Sequence, residues 1–257
     1  MGDNRGTGGF YISTVAADAV ETSKKYGFGL EIAEFCTAIN MDIGFDYWDQ
    51  TVKEKMAGIG RFTFHAPFNE LCPSAIDPLI LEVAHRRYNQ AYELMRSYGI
   101  NKMVVHSGYL PYVYFKGYFV ERSVRFWRDF LRDKHEDFSL CIENVLEDEP
   151  GLLIDIVKEV NDRRMGICLD IGHANTVVSD KPVLEWIDEA SPFLSHVHIH
   201  NNYREYDNHN PVQDGLIDYT AAMGSLLSER PDVSITIESL NAEKTAAWLC
   251  ENGFCER

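Results

Sequence analysis

No run of about 18 apolar residues occurs, so a membrane-spanning helix is not expected. No C-x-x-C pair occurs either: Cys36, Cys72, Cys141, Cys168, Cys250 and Cys255 are scattered. In a chain of 257 residues that scatter predicts reduced thiols in a cytoplasm rather than a disulfide framework. Basic residues are few, 24 Lys and Arg against 40 Asp and Glu, for a formal net charge of −16. A surface of that sign repels nucleic acid and anionic membrane at long range, which disfavours DNA as a partner. The opening stretch MGDNRGTGGFYISTV has no apolar core of a signal peptide, so no secretory leader is expected. Low-complexity segments, linkers and close repeats are absent, as is a Gly-rich phosphate loop of the kind that marks dinucleotide-binding open sheets.

What is present is an alternation. Eight β-rich runs recur: GFYISTV (9–15), GLEIAEF (29–35), RFTFHAPF (61–68), NKMVVHSG (101–108), FSLCIENV (138–145), MGICLDIGHA (165–174), LSHVHIHNN (194–202) and DVSITIES (232–239). Between them lie segments with apolar residues at helical spacing. In PLILEVAHRRYNQAYELMRSYG, Leu81, Ala84, Tyr88, Ala91 and Met95 step by three or four along one stripe. YFVERSVRFWRDFLRD follows, then PGLLIDIVKEVNDRR, whose Pro150 suits a helix start. KPVLEWIDEA, IDYTAAMGSLLSE and NAEKTAAWLCENG complete the set. Strand then helix eight times over a chain of this length predicts a (β/α)8 TIM barrel, an α/β fold formed as one domain over residues 1–257. An open doubly wound sheet, which more often stops at five to seven strands, is the alternative.

In such a barrel the side chains of each strand alternate between the helices and the interior. Val197 and Ile199 then face the helices, and His196, His198 and His200 face inward. Cys141 and Glu143, Cys168 and Asp170, and Ser234, Thr236 and Glu238 fall on the inward side of their strands. His65 and His106 lie near the ends of strands 3 and 4. Strands 3 to 8 therefore end on His, His, Glu, Asp, His and Glu, at the face where barrels of this kind build active sites. Buried carboxylates without a cation repel one another and are costly to desolvate. A divalent ion resolves both problems, and imidazole with carboxylate suits Zn²⁺ or Mn²⁺.

Glu143 in IEN, Asp170 and His173 in LDIGHAN, His198 in HVHIHNN and Glu238 in IES resemble the xylose isomerase-like barrel superfamily over nearly the whole chain. That superfamily includes sugar isomerases and epimerases and also endonuclease IV-type phosphodiesterases. The resemblance to its ketose 3-epimerases implies one metal held by Glu143, Asp170, His198 and Glu238. In that reading His173 and Arg204 contact substrate. The resemblance to the endonuclease pattern implies a trinuclear zinc cluster, with His65, His106, His173, Asp207 and His209 as additional ligands. One ion is expected, with room for up to three. The segment GHANTVVSDKPVLEWI (172–187) is closer to the isomerase branch, and the candidate loops offer few cations for phosphate, namely Lys116, Arg122 and Arg204.

The leading expectation is a metal-dependent isomerase or epimerase acting on a small sugar or sugar phosphate. Glu143 and Glu238 are its acid/base pair as well as ligands, and His173 and Arg204 hold substrate oxygens. The alternative is a two- or three-metal phosphoester hydrolase. A third option is a metal-bound barrel that binds a ligand without turnover. The tyrosine-rich stretch YLPYVYFKGYF (109–119) is expected at the catalytic face, where aromatic rings suit the apolar sides of sugars. Within strand 7, His196 is expected to pack in the core, His198 to be the ligand, and His200 to stand beside the ions or face substrate. No interface motif fixes the oligomeric state, so a homo-oligomer stays open.

Overall fold

A computed structural model describes residues 9–255. The part of the leader expectation that concerns residues 1–8 lies outside them. Eight parallel strands close into a barrel in chain order, with the last paired to the first: β1 (Phe10–Ser13), β2 (Gly29–Ile32), β3 (Phe62–His65), β4 (Lys102–His106), β5 (Ser139–Glu143), β6 (Met165–Asp170), β7 (Leu194–Ile199) and β8 (Ser234–Ile237). Each is followed by a helix: α1 (Ala19–Tyr26), α2 (Phe45–Met56), α3 (Pro78–Ser97), α4 (Lys116–Leu131), α5 (Gly151–Val160), α6 (Val183–Ala190), α7 (Tyr219–Glu229) and α8 (Ala242–Glu251). The eightfold alternation thus gives the barrel and not the open sheet. No helix among the described residues is long and apolar enough to cross a membrane.

The two faces of the strands separate as their alternation requires. Leu140, Ile142, Ile167, Leu169, Val197, Ile199, Ile235 and Ile237 pack outward into the main core with the helices. Val104, Cys141 and Cys168 form a separate apolar plug inside the barrel. Below the plug, the Lys102 ammonium donates to Ser234 Oγ at 2.6 Å and to the Ser195 carbonyl at 2.8 Å, so the floor of the barrel is polar but satisfied.

The helix signals act locally. Asp77 caps α3 by accepting from the Leu79 N–H, and Pro78 fills its first turn, where a missing N–H costs nothing. Of the α3 stripe, Ala84, Tyr88, Ala91 and Met95 are fully buried and Leu81 partly so. Tyr88 meets Trp127 and Phe126 of α4 in this layer. Pro150 caps α5, and Asn161 ends it in the left-handed region. The helix α1 buries the small residues Ala19, Thr22 and Ser23, whereas α2 packs Trp48, Val52 and Met56, spaced by four, against the core.

The cysteine expectation needs one correction. Cys250 and Cys255 are disulfide-bonded, while Cys36, Cys72, Cys141 and Cys168 are free thiols. Their spacing gave no motif, but α8 ends between them and Gly253, at φ 78°, folds the tail back so that the two Cα atoms lie 4.7 Å apart.

Candidate metal centre

Parallel topology sends the C-terminal ends of all the strands to one face, so residues far apart in sequence converge there. His65, His106, Glu143 and Asp170 are the last residues of β3, β4, β5 and β6. His198 lies within β7, and Glu238 follows β8 directly. His173 sits in a short 3-10 turn after β6, and Asp207 and His209 lie in the loop after β7.

Three donor groups lie at this face and a fourth, Glu31 with His196 and His198, lies beneath them, each with ligand atoms within 4.8 Å of one another. The central one is Glu143, Asp170, His198 and Glu238, with all four side chains buried. His198 Nδ1 lies 3.1 Å from Glu143 Oε1, 3.5 Å from Glu238 Oε1 and 3.9 Å from Asp170 Oδ2. The second joins His65 and His106 to the other oxygen of Glu143, at 3.3 and 3.4 Å from Oε2. The Glu143 carboxylate is thus shared between two groups, one oxygen to each. The third gathers His173, His200, Asp207 and His209. His173 Nε2 and His209 Nε2 meet Asp207 Oδ2 at 3.1 and 3.0 Å, and His200 Nε2 lies 3.5 Å from Asp207 Oδ1 and 3.1 Å from Asp170 Oδ1.

The orientation of the imidazoles is fixed from behind. Nδ1 of His65, His173 and His209 lies 2.9, 2.8 and 3.0 Å from the carbonyls of Ala66, Asn144 and Glu238. A carbonyl can only accept, so each Nδ1 carries a proton and each Nε2 is the nitrogen left to face the carboxylates, or to offer its lone pair to an ion among them. His106 is instead held by stacking on Phe68, with centroids 4.2 Å apart. Asn144 locks the end of β6 by accepting from the Asp170 N–H and donating to the Asp170 carbonyl, at 2.8 and 2.9 Å.

The groups fit a cation. Glu143 Oε2, Asp170 Oδ2 and both ring nitrogens of His200 are buried without a well-aligned hydrogen bond, although several lie close to oppositely charged partners. Orphaned atoms of this kind are rare and costly. Their clustering on imidazole nitrogens and carboxylate oxygens matches the donor set of Zn²⁺ or Mn²⁺. Without an ion, the histidines take up the positive role. Burial alone would raise the Glu143 carboxyl, but the imidazoles of His198 and His106 outweigh it and hold it well below the usual carboxylate range. Burial disfavours charge on His65 and His209, yet Glu143 for the first and Asp207 for the second lift them to about 9. Glu238 is raised, first by burial and then, against His198, by Glu143 and Glu31.

Every expected ligand is therefore brought to the centre. Of the two positions assigned to substrate, His173 lies in the third group. Arg204 is exposed, at φ 75°, and lines a groove with Asn175, Lys181, Leu216 and Asp218 beside α6 and α7. The tyrosine-rich stretch runs through the loop after β4 into the first turn of α4. Tyr109, Tyr112 and Tyr114 line a cavity of about 850 Å³ with Leu146, Val177 and Val178 from the loops after β5 and β6. His196 packs in the core as expected, within 2.6 Å of Ser234 Oγ and 2.8 Å of Thr236 Oγ1.

Glu31 was missed as part of the centre, and His200 was expected beside the ions rather than among the donors. Glu31 of β2, fully buried, lies 3.0 Å below His198 Nε2. Its signal was a carboxylate in an otherwise apolar strand. His200 stacks on His209 at 4.0 Å and belongs to the third donor group. Its ring is admitted by Gly172, where an added Cβ would lie 2.0 Å from Cε1. Gly172 has right-handed helical angles that alanine adopts freely, so Gly172→Ala should act through this collision alone. Overpacking of this size costs about 1–3 kcal/mol. A thermal melt should show the loss, and an unchanged Tm would contradict the packing.

The xylose isomerase-like TIM barrel family model matches residues 19–252. The uncharacterized protein MJ1311 of Methanocaldococcus jannaschii is 27% identical over 187 residues, covering 69% of this chain and 64% of that protein. A second uncharacterized protein of the same organism, MJ1614, is 25% identical over 163 residues, covering 62% and 63%. The chain thus spans less than two thirds of the length of these relatives. Among solved structures, a D-tagatose 3-epimerase-like protein superposes with TM-score 0.76 at 22% identity, covering 95% of this chain and 96% of that one. The TTHB071 protein from Thermus thermophilus, solved after soaking with ZnCl2, gives 0.73 at 20%, covering 96% and 99%. D-Psicose 3-epimerase from Clostridium cellulolyticum, solved with D-tagatose, gives 0.69 at 20%, covering 95% and 92%.

Proposed function

The chain belongs to the xylose isomerase-like TIM barrel family, and from that premise we propose that it is a divalent-metal-dependent isomerase or epimerase of a small sugar or sugar phosphate. The observation that carries this reading is the placement of two glutamates, from β5 and from the end of β8, on the same nitrogen of His198. Two carboxylates around one donor centre are what proton transfer next to a carbonyl requires, one to take the proton and one to return it. A bound Zn²⁺ or Mn²⁺ would polarise the carbonyl and hydroxyl oxygens of the substrate. Glu143, Asp170, His198 and Glu238 would hold it. Glu143 and Glu238 would move the proton, and His173, at the mouth of the centre, would steady the enediolate oxygen. Arg204 would reach substrate only from its groove at the rim. The several epimerases among the structural neighbours support the same reaction class.

A second reading is favoured by a specific observation: His65 and His106 form their own donor group on the free oxygen of Glu143, and the third group stands beside Asp170. Clustered ions on such groups would suit phosphoester hydrolysis. The two readings separate in one experiment. The metal-loaded protein is incubated in deuterated water with a panel of ketoses and ketose phosphates, and in parallel with phosphodiesters. Deuterium entering a substrate C–H bond is the result expected. Phosphodiester cleavage without any such exchange would overturn the isomerase reading.

A further inference from the structure

We infer that Glu31 is a positioning residue for His198: it determines which imidazole nitrogen carries the proton, and therefore which one offers a lone pair to an ion. The inference rests on the proposed reading in one respect, that His198 is an ion ligand.

Glu31 stands in the middle of β2, fully buried inside the barrel beneath the donor groups. Its two oxygens face different partners. Oε2 accepts from Thr63 Oγ1 at 2.9 Å and from Thr236 Oγ1 at 3.1 Å, with His196 Nε2 at 3.2 Å. Oε1 faces His198, whose Nε2 lies 3.0 Å away, an ion-pair approach in which neither atom has another hydrogen-bond partner. An ionised carboxylate accepts hydrogen bonds and donates none, so the nitrogen facing it must bear the hydrogen. In the neutral ring that an ion requires, Nδ1 is then the unprotonated nitrogen, and that atom faces Glu143, Glu238 and Asp170.

His198 differs here from its neighbours. His65, His173 and His209 rest Nδ1 on a backbone carbonyl and present Nε2. His198 is turned the other way, with Nδ1 toward the centre. Its far nitrogen points down the barrel, where a side chain has to supply the acceptor. A carboxylate in that place also raises the basicity of the ligand nitrogen, as a carbonyl does less strongly. Glutamine at position 31 would not substitute. The two threonine hydroxyls mark the Oε2 position as an acceptor, so the amide oxygen would settle there and the NH2 group would point at His198 Nε2. The imidazole would then accept at Nε2 and carry its proton on Nδ1, toward the ion.

The test is Glu31→Gln, read by zinc titration and by ¹⁵N spectra of histidine-labelled protein. Zinc affinity should fall about 10- to 100-fold, the usual effect of removing a group that orients a ligand. The His198 resonances of zinc-bound wild type should report a protonated Nε2 and a metal-bound Nδ1. In the variant that pattern should be lost, while circular dichroism stays native. Zinc affinity within threefold of wild type, with the same tautomer, would overturn the role of Glu31 and leave the functional reading standing. If Glu31→Gln fails to fold, the zinc-bound wild-type spectrum decides alone, and a protonated Nδ1 on His198 overturns the inference. Wild type that takes up no zinc overturns the ligand role of His198 itself. Zinc uptake that depends on Glu31 in a protein inactive on every sugar supports Glu31 while removing the isomerase reading.

Discussion

Glu143→Gln should lower turnover by about 10²- to 10⁴-fold, the range lost when one general acid or base is removed, and should reduce bound metal as well. The reason lies in the division of its two oxygens, Oε1 toward His198 and Oε2 toward His65 and His106. An amide offers an acceptor to only one of these directions. Whichever way it turns, a neutral NH2 group replaces one carboxylate oxygen, and in a fully buried position it can neither coordinate an ion nor balance a protonated imidazole. Glu238→Gln provides the contrast. Glu238 meets His198 at 3.5 Å and His209 at 4.0 Å and is not shared with His65 or His106. Its replacement should reduce turnover while leaving the His65 and His106 group able to bind. Solvent-hydrogen exchange into substrate and elemental analysis of both variants check this. A Glu143→Gln protein with wild-type metal content and turnover within threefold would remove Glu143 from the centre.

Most of the centre was readable in advance because a parallel barrel turns a one-dimensional rule into a three-dimensional one. A polar residue at the end of a buried strand reaches the same face whatever its distance in sequence. His65, His106, Glu143, Asp170 and His198 needed only an alternating pattern and a strand end. Glu31 needed more. The run GLEIAEF carries two glutamates, and only the register separates them. Glu31 turns into the barrel, while Glu34 pairs with Lys55 at 2.6 Å and accepts from Thr14 at 2.8 Å. His200 was placed inward correctly, but its entry into the third group depends on a missing Cβ at Gly172, a contact across strands that no periodicity encodes. Arg204 shows the opposite limit. The resemblance to ketose 3-epimerases pointed to it, six residues after His198, whereas the left-handed turn there leaves its side chain at the rim. The helix α1 escaped the pattern because small residues face the barrel, while α2 carries its stripe on only three residues, Trp48, Val52 and Met56.

Removing divalent ions should make the protein less stable, and increasingly so as pH rises from about 6.5 to about 9. In the ion-free protein the positive partners of the buried carboxylates are histidines. Burial opposes charge on His65 and His209, but Glu143 and Asp207 respectively raise both to about 9. His173 and His198 are also raised well above the ordinary value against burial, Asp170 leading for the first, and Cys168 and then Glu238, Glu31 and Glu143 for the second. A histidine whose folded pKa is raised contributes stability that is complete below its unfolded value of about 6.5 and is lost as pH climbs through the folded value. Below that window the direction reverses. Burial lowers His106 to about 3 and His196 to about 4, and Glu143 and Asp170 are also lowered, so stability falls as acid forces protons onto them. The ion-free protein should therefore be most stable near pH 6.5. A bound cation takes over the role of the protons and removes the alkaline decline. With zinc at about 100 times its Kd the gain is about 2.7 kcal/mol, which for a chain of this size raises Tm by about 5–10 °C. Calorimetry with chelator and with zinc, at pH 6.5 and pH 9, reads both effects. The zinc-induced rise should be larger at pH 9. Equal melting with and without zinc at both pH values would mean that these histidines and carboxylates hold no ion.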